Sequence, residues 1–187
     1  MTTELDPQLS HVREEFASAS ERAAVLFEQH PGGRLMTKPR NGGWSAVECV
    51  SHLNLTAKLY IPTLNSNITR ARRDNLTGGG PYGMDLRGRL LAWFLEPPYR
   101  LRGRTIPETM PGQPRSPKIV LEEFKALNSQ LSSLVEEASG LDLDRVRLAS
   151  PFKASLTYNL YSAFRVLTAH ERRHLWQAER AIAGVVG

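Results

Sequence analysis

The chain has 187 residues, 41% of them hydrophobic, and a single cysteine, so it suits one domain over residues 1–187 with a substantial core and no internal disulfide. No apolar run is long enough to span a bilayer and the start MTTELDPQLS is not a secretory signal, which together with the lone cysteine predicts a cytoplasmic protein outside the membrane. The net charge is +5, and the basic residues cluster modestly in TRARRD (Thr69 to Asp74) and YRLRGR (Tyr99 to Arg104). No nucleic-acid-binding motif accompanies these clusters, so nucleic acid is not the favoured partner.

The first predicted helix follows Asp6, which can cap it, and has Pro7 in its first position. It should end near His30, before the sequence PGG, and a loop should follow. Apolar residues recur along it at steps of three and four, which makes one buried stripe. They are Leu9, Val12, Phe16, Ala19, Ala23 and Leu26.

A second helix is predicted from about Ala46, because Ser45 and Glu48 form an S-x-x-E capping box. Its apolar side continues for several turns, and the helix should fade near Arg73. Pro62 lies inside this pattern, so we expect the helix to kink there.

Residues 74–115 read as a long crossover, rich in Gly and Pro, that a short helix from Leu86 to Leu95 interrupts. A connection of this length usually carries function or spans the domain, and a bundle with two adjacent parallel helices needs one. A third helix should open at Ser116-Pro117 and stop before Gly140, and a fourth should run from about Thr157 to Ile182. Strand signals are absent, so the predicted fold is an all-α four-helix bundle.

His170 and His174 stand four residues apart in the sequence HERRH. On a helix this spacing puts both imidazoles on one face, and both continue the apolar stripe of the fourth helix, so they should point into the bundle. Such a pair can hold a transition metal, and His52, two turns into the second helix, also lies near the inward side. The alternative is that these are structural histidines at the edge of the core.

The same five letters match H-E-x-x-H, the signature of zinc proteases. Zincins take a further ligand downstream, yet only 13 residues follow His174 and none of them is histidine. Glu179 lies on the same helix and cannot fold back, and the downstream Gly turn is missing. A zinc protease is therefore the least favoured interpretation, and we expect Arg172 and Arg173 to face solvent.

Two carboxylates could assist a metal site, and each has a structural alternative. Glu48 lies one turn before His52 and could orient it, although the capping box already explains this residue. Glu171 could act as a general base at the rim of the site, or it is a solvated or ion-paired residue. Other nearby residues are interpreted as packing or pocket-lining side chains: Trp44, Cys49, Tyr60 and Gln177.

Two stretches resemble the DinB-like (damage-inducible) four-helix-bundle family. WSAVECVSHL, from Trp44 to Leu53, is similar to its first motif, a Trp-Ser helix start followed by a histidine. SLTYNLYSAFRVLTAHERRHLWQAER, from Ser155 to Arg180, is similar to its last helix, in which a His-x-x-x-His-Leu-x-Gln run supplies two further ligands. Both motifs in this order, with the long crossover between them, extend the resemblance over almost the whole chain.

The resemblance implies an up-down-down-up bundle, often a homodimer, that holds a divalent metal through His52, His170 and His174. Zinc or nickel is the expected metal, although a histidine set also suits iron, copper and manganese. The resemblance further suggests a metal-dependent hydrolase or a low-molecular-weight-thiol S-transferase acting on a small molecule. The alternative function is a non-catalytic metal- or ligand-binding stress-response module.

Overall fold

The computed structural model describes residues 5–40, 42–98, 105–113 and 115–184, and this part of the chain is mostly helical. The arginine-rich stretch from Tyr99 to Arg104 lies outside the described residues. A short 3-10 helix covers Pro107–Thr109. The other elements are α1 (Pro7–Glu28), α2 (Gly32–Met36), α3 (Ala46–Arg73), α4 (Leu86–Leu95), α5 (Pro117–Glu137), β1 (Arg147–Ser150), β2 (Lys153–Asn159) and α6 (Leu160–Ala183).

The predicted starts of the first two long helices are confirmed by their caps. The Asp6 side chain accepts a hydrogen bond from the Gln8 amide at 2.8 Å. At the start of α3, the Glu48 amide donates to Ser45 Oγ at 3.2 Å, and the Ser45 amide donates to Glu48 Oε2 at 2.8 Å. The capping box therefore forms as the sequence indicates, and it fixes where α3 begins.

The prediction of a chain without strands missed an antiparallel hairpin, in which Arg147 of β1 pairs with Asn159 of β2. The fourth long helix therefore begins at Leu160 and not at Thr157, which belongs to β2. The reason is local, because the Asn159 side chain accepts a hydrogen bond from the Ser162 amide at 2.8 Å and so caps α6.

Other differences from the predicted elements are small. Helix α1 ends at Glu28, two residues before His30, and the short helix α2 occupies the loop expected after it. Helix α3 runs as one continuous element through Pro62, and the kink predicted there stays a prediction.

Helix α3 packs against α5 and α6, α1 packs against the same two helices, and α4 lies along α6. The buried side chains form two apolar clusters. One cluster takes α3 residues from Ala57 onward and α6 residues up to Leu167, and the other takes α3 residues up to Leu53 and α6 residues from Leu175 onward. His52 and the pair on α6 thus lie at the level where one apolar cluster gives way to the other.

No helix in the described segments combines the length and the apolar character that crossing a membrane would need.

The larger cluster should carry much of the stability. Leu64 of α3 is 0% exposed, so Leu64→Ala leaves a cavity and should lower the free energy of unfolding by about 2–5 kcal/mol. Ile119→Ala is the matched control, because Ile119 of α5 is 51% exposed and its truncation should change stability by no more than about 0.5 kcal/mol. Urea denaturation of both variants measures the difference, and equal losses would contradict this packing.

Candidate metal centre

Three imidazoles meet between α3 and α6. His52, His170 and His174 each offer one ring nitrogen, and these nitrogens lie within 4.8 Å of one another. Nε2 of His52 is 3.1 Å from Nε2 of His170. Two nitrogen ligands at roughly 2.0–2.1 Å from one tetrahedral metal ion are about 3.3–3.4 Å apart, so the observed spacing is close to that of a metal site.

The local sequence explains why these rings converge. His170 and His174 are one helical turn apart on α6, and their ring centroids are 4.5 Å apart. The ring of His52 crosses from α3 and lies 5.0 Å from the His170 ring and 4.4 Å from the His174 ring. The predicted interior position of the pair is confirmed, and His52 joins it as expected.

A backbone carbonyl in the crossover fixes the tautomer of His52. Nδ1 of His52 is 2.8 Å from the Thr109 carbonyl oxygen, and Thr109 is only 1% exposed. Because a carbonyl can only accept, Nδ1 must carry the proton and donate it. Nε2 then presents its lone pair towards the other two histidines, which is the orientation that a metal ligand needs.

Trp44 forms an apolar wall beside two of the rings. Its ring centroid is 4.9 Å from that of His52 and 5.8 Å from that of His174. The packing role predicted for Trp44 is confirmed. It packs on the imidazoles themselves as well as on the start of α3, so it limits the access of water to this side of the site.

Burial keeps the three imidazoles neutral. It lowers the pKa of His52, although the hydrogen bond to Thr109 opposes this. Burial, followed by the neighbouring histidines and the positive charge of Arg173, holds the pKa values of His170 and His174 well below the ordinary value. All three rings are therefore neutral at neutral pH, each with one ring nitrogen free of a proton, which is the form that binds a metal.

One buried nitrogen of this cluster lacks a hydrogen-bond partner within the described segments. It is Nδ1 of His174, and Oε1 of Gln177 on the next turn of α6 is unsatisfied as well. The Gln177 amide lies near this ring, since it opposes the fall in the pKa of His174, but the two groups are not in hydrogen-bond geometry. Unsatisfied buried polar atoms are costly, so the donor set fits a site that a ligand completes.

Glu48 has the contacts of a helix cap. Besides Ser45, it contacts Lys38, whose Nζ is 2.9 Å from Glu48 Oε1. Burial opposes ionisation, but the hydrogen bonds from Ser45 and Lys38 outweigh it and lower the pKa of this carboxyl. Glu48 is not among the groups within 4.8 Å that could ligate a metal, and the hydrogen bond that orients His52 comes from Thr109.

Glu171 is neither at a rim nor solvated, because it is 4% exposed in the core. It lies beside Asn128 of α5, whose Nδ2 donates to Glu171 Oε2 at 3.4 Å and to the Phe16 carbonyl at 3.1 Å. One residue along a helix is about 100°, so Glu171 turns from the direction of His170 towards α1 and α5. Burial raises its pKa well above the ordinary value, so this carboxyl resists ionisation more than an exposed glutamate does.

The expectation that both arginines of HERRH face solvent is wrong. Arg173 is 5% exposed and donates from Nη1 to the Phe94 carbonyl at 2.8 Å, with its guanidinium 5.4 Å from the centre of the Phe94 ring. Arg172 forms ion pairs with Glu15 of α1 and with Glu96, the C-cap of α4. The reason is that α1 and α4 cover these sides of α6, which the sequence pattern of α6 does not reveal.

The remaining candidates divide between two places. Tyr60 lies away from the metal centre, where its hydroxyl is 2.5 Å from that of Tyr158 on β2. Cys49 is 1% exposed in the smaller apolar cluster and is not among the potential ligands, which agrees with its predicted role as a small buried hydrophobe.

A mostly helical fold with three convergent, neutral imidazoles, two buried and one partly buried, defines a protein with a candidate three-histidine metal centre. The family model described as the DinB superfamily matches residues 15–178. The chain belongs to the DinB superfamily, a metal-binding family, and the histidine cluster fits a metal-binding role. No curated protein and no solved structure matches it significantly.

Cys49 provides a simple test of this packing. Burial raises the pKa of its thiol far above the ordinary value, so the native thiol should stay protonated at pH 9, where an unfolded thiol is largely ionised. We expect almost no reaction with a disulfide reagent in the native protein and stoichiometric reaction in guanidinium chloride. Rapid labelling of the native protein would contradict the placement of Cys49 in the core.

Proposed function

We propose that the protein binds a divalent metal through His52, His170 and His174 and uses it to transform a small molecule, as a hydrolase or a low-molecular-weight-thiol S-transferase. One observation carries the proposal, namely the convergence within 4.8 Å of three imidazole nitrogens, from the buried His52 and His174 and the partly buried His170. Zinc or nickel is the proposed ion, because imidazole ligands suit both.

A divalent ion held there supplies positive charge that favours loss of a proton from a water molecule or a thiol at neutral pH. The residues of the chain prepare this chemistry. Thr109 orients His52, burial keeps the rings neutral, and Trp44 restricts water on one side. An S-transferase would use the same centre to ionise a thiol, and a hydrolase would use it to ionise water.

The two carboxylates take different parts in this proposal. Glu48 supports the site indirectly, because its capping box holds the first turn of α3 one turn before His52. A general-base role for Glu171 requires that its side chain leave Asn128, ionise and turn towards the imidazoles. The contacts of Glu171 therefore favour a metal centre without this general base over a zinc protease of the H-E-x-x-H type.

We also propose the up-down-down-up winding of α1, α3, α5 and α6 within one domain over residues 1–187. Polar contacts between the helices support it. Along α3 and α5, and along α1 and α6, the contacting residues have increasing numbers on both helices, so each of these pairs is parallel. Along α1 and α5 the numbers increase on one helix and decrease on the other, so this pair is antiparallel. The pairs are Asn54–Val120, Lys58–Glu123, Arg72–Glu137, Glu15–Arg165, Arg22–Glu179, Arg13–Glu136 and Ser20–Asn128.

A cytoplasmic homodimer completes the proposal. Leu86 and Leu90 stand four residues apart on α4 and are 75% and 63% exposed, which gives an apolar strip that a second copy would cover. The reduced, buried Cys49 suits a reducing compartment.

Removal of one ligand should abolish tight metal binding. We expect native protein to bind one equivalent of Zn²⁺ or Ni²⁺ and His174→Ala to bind it at least about 100-fold more weakly, a larger loss than the roughly 10–100-fold typical of changes outside the ligand set. His11→Ala is the matched control, because the His11 side chain is 60% exposed on α1. Competition with a chelating dye measures both, and equal affinities in the two variants would contradict the ligand set.

Turnover should depend on the same centre. On a panel of ester, amide and thiol-adduct substrates, we expect activity that a chelator removes, that added metal restores and that His170→Ala lacks. Stoichiometric metal without turnover across the panel would favour the non-catalytic binding module instead. Casein cleavage that Glu171→Gln abolishes would favour the protease.

A further inference from the structure

Arg173 places a buried positive charge beside the histidine pair of α6. It is only 5% exposed, and an arginine side chain keeps its charge in proteins. Residues three apart on a helix are neighbours, with roughly 5–6 Å between their Cβ atoms, so Arg173 lies next to His170. It also directly precedes His174 in the chain. The turn of α6 that supplies two imidazoles therefore carries a cation as well.

Helix α4 fixes the position of this cation. Nη1 of Arg173 donates to the Phe94 carbonyl at 2.8 Å, and the central carbon of the guanidinium is 5.4 Å from the centre of the Phe94 ring. A hydrogen bond and a contact with an aromatic face together restrain a side chain that is otherwise flexible. The charge therefore has a definite place, on the side of α6 that packs against α4.

The charge of Arg173 acts on both imidazoles of this pair. After burial and the neighbouring histidines, it is a further cause that holds the pKa values of His170 and His174 well below the ordinary value. Electrostatic interactions between buried groups are only weakly screened by water and salt. Arg173 would therefore attract an anion that binds beside these rings and would repel a cation.

The preceding residue, Arg172, differs in direction and in pairing. It is turned about 100° from Arg173 around the axis of α6. Its guanidinium forms ion pairs with Glu15 of α1 and with Glu96 at the end of α4, so two carboxylates compensate its charge. The two adjacent arginines thus offer a comparison between a cation beside the site and one turned away from it.

Among the described residues, no carboxylate belongs to the group that could hold a metal. This group consists of three neutral imidazoles. Glu48 is paired with Lys38, and Glu171 lies beside Asn128 in the core. The imidazoles would therefore leave the charge of a divalent ion uncompensated, and Arg173 adds a charge of the same sign beside them.

We propose that Arg173 is a specificity-determining residue of the metal centre. It favours a ligand or substrate with a negatively charged group, such as a thiolate, a carboxylate or a phosphate, over a neutral one. This inference rests on the proposed function, because it requires a divalent ion held by the three histidines. Without an anion, two positive charges lie close together in the core, whereas a bound anion is attracted by both. Arg173 thus weakens the binding of the metal alone and strengthens the binding of an anion to the metal-loaded protein.

The charge-free variant Arg173→Gln tests both effects, since glutamine can still donate to the Phe94 carbonyl. In a buffer without coordinating anions, we expect this variant to bind Zn²⁺ at least about threefold more tightly than the native protein, as measured by competition with a chelating dye. In calorimetric titrations of the zinc-loaded proteins, we expect it to bind azide at least about tenfold more weakly. Imidazole, titrated at pH 8 as a neutral ligand, should bind equally to both proteins.

Three further variants separate charge from packing. Arg173→Met keeps a long, flexible side chain without the charge and should reproduce both effects of Arg173→Gln, which provides a second test if the glutamine variant folds poorly. Arg173→Lys keeps the charge and should bind Zn²⁺ and azide much as the native protein does. Arg172→Gln is the matched control, because it removes the same formal charge from a residue that Glu15 and Glu96 already compensate. It should change either affinity by less than about twofold.

Two results would overturn this inference alone while the native protein binds its equivalent of metal. One is undiminished azide binding in the charge-free variants, and the other is weaker Zn²⁺ binding in them, which is what the loss of a purely structural contact would cause. Native protein that binds no stoichiometric metal would overturn the proposed function, and this inference with it.

Discussion

Three neutral imidazoles packed at the junction of two apolar clusters are the constraint on which the rest of the structure depends. A buried ring nitrogen without a partner is costly, so each ring must keep both its position and its tautomer. His52 meets this demand through the Thr109 carbonyl, whereas Nδ1 of His174 does not meet it within the described segments. The contact between α3 and α6 therefore leaves one buried ring nitrogen without a hydrogen-bond partner in an otherwise apolar interior. A ligand bound at this place would satisfy that nitrogen.

The crossover between α3 and α5 is part of this centre. Its 3-10 helix carries the Thr109 carbonyl, and its helix α4 lies along α6, where Phe94 accepts a hydrogen bond from Arg173. Glu96 at the end of α4 pairs with Arg172. The long connection thus covers the side of α6 that carries the histidine pair and orients the third histidine on α3. These contacts agree with the rule that long loops in compact domains are usually functional.

The sequence predicted the features that depend on local spacing. The i, i+4 histidines, the capping box at Ser45 and the helix start at Asp6 each follow from contacts within one or two turns. The hairpin was missed because its stability comes from pairing β1 with β2 and from burying Tyr158, and neither partner is visible from a single strand. Thr109 could not be found at all, because it acts through a backbone carbonyl that every residue possesses. Its side chain carries no signal for this role.

The five letters HERRH show why spacing alone does not name a reaction. Spacing determines that His170 and His174 share a face and that Glu171 is turned about 100° from His170. What each face meets depends on the other helices: α3 brings a third imidazole to the histidines, whereas α5 brings Asn128 to Glu171. In this surrounding the carboxyl lies in the core with a raised pKa, and the third imidazole comes from α3, upstream in the sequence, whereas a zinc protease would take its third ligand from downstream. The same motif on a helix with different neighbours would place the glutamate in water, with an ordinary pKa and a different chemistry.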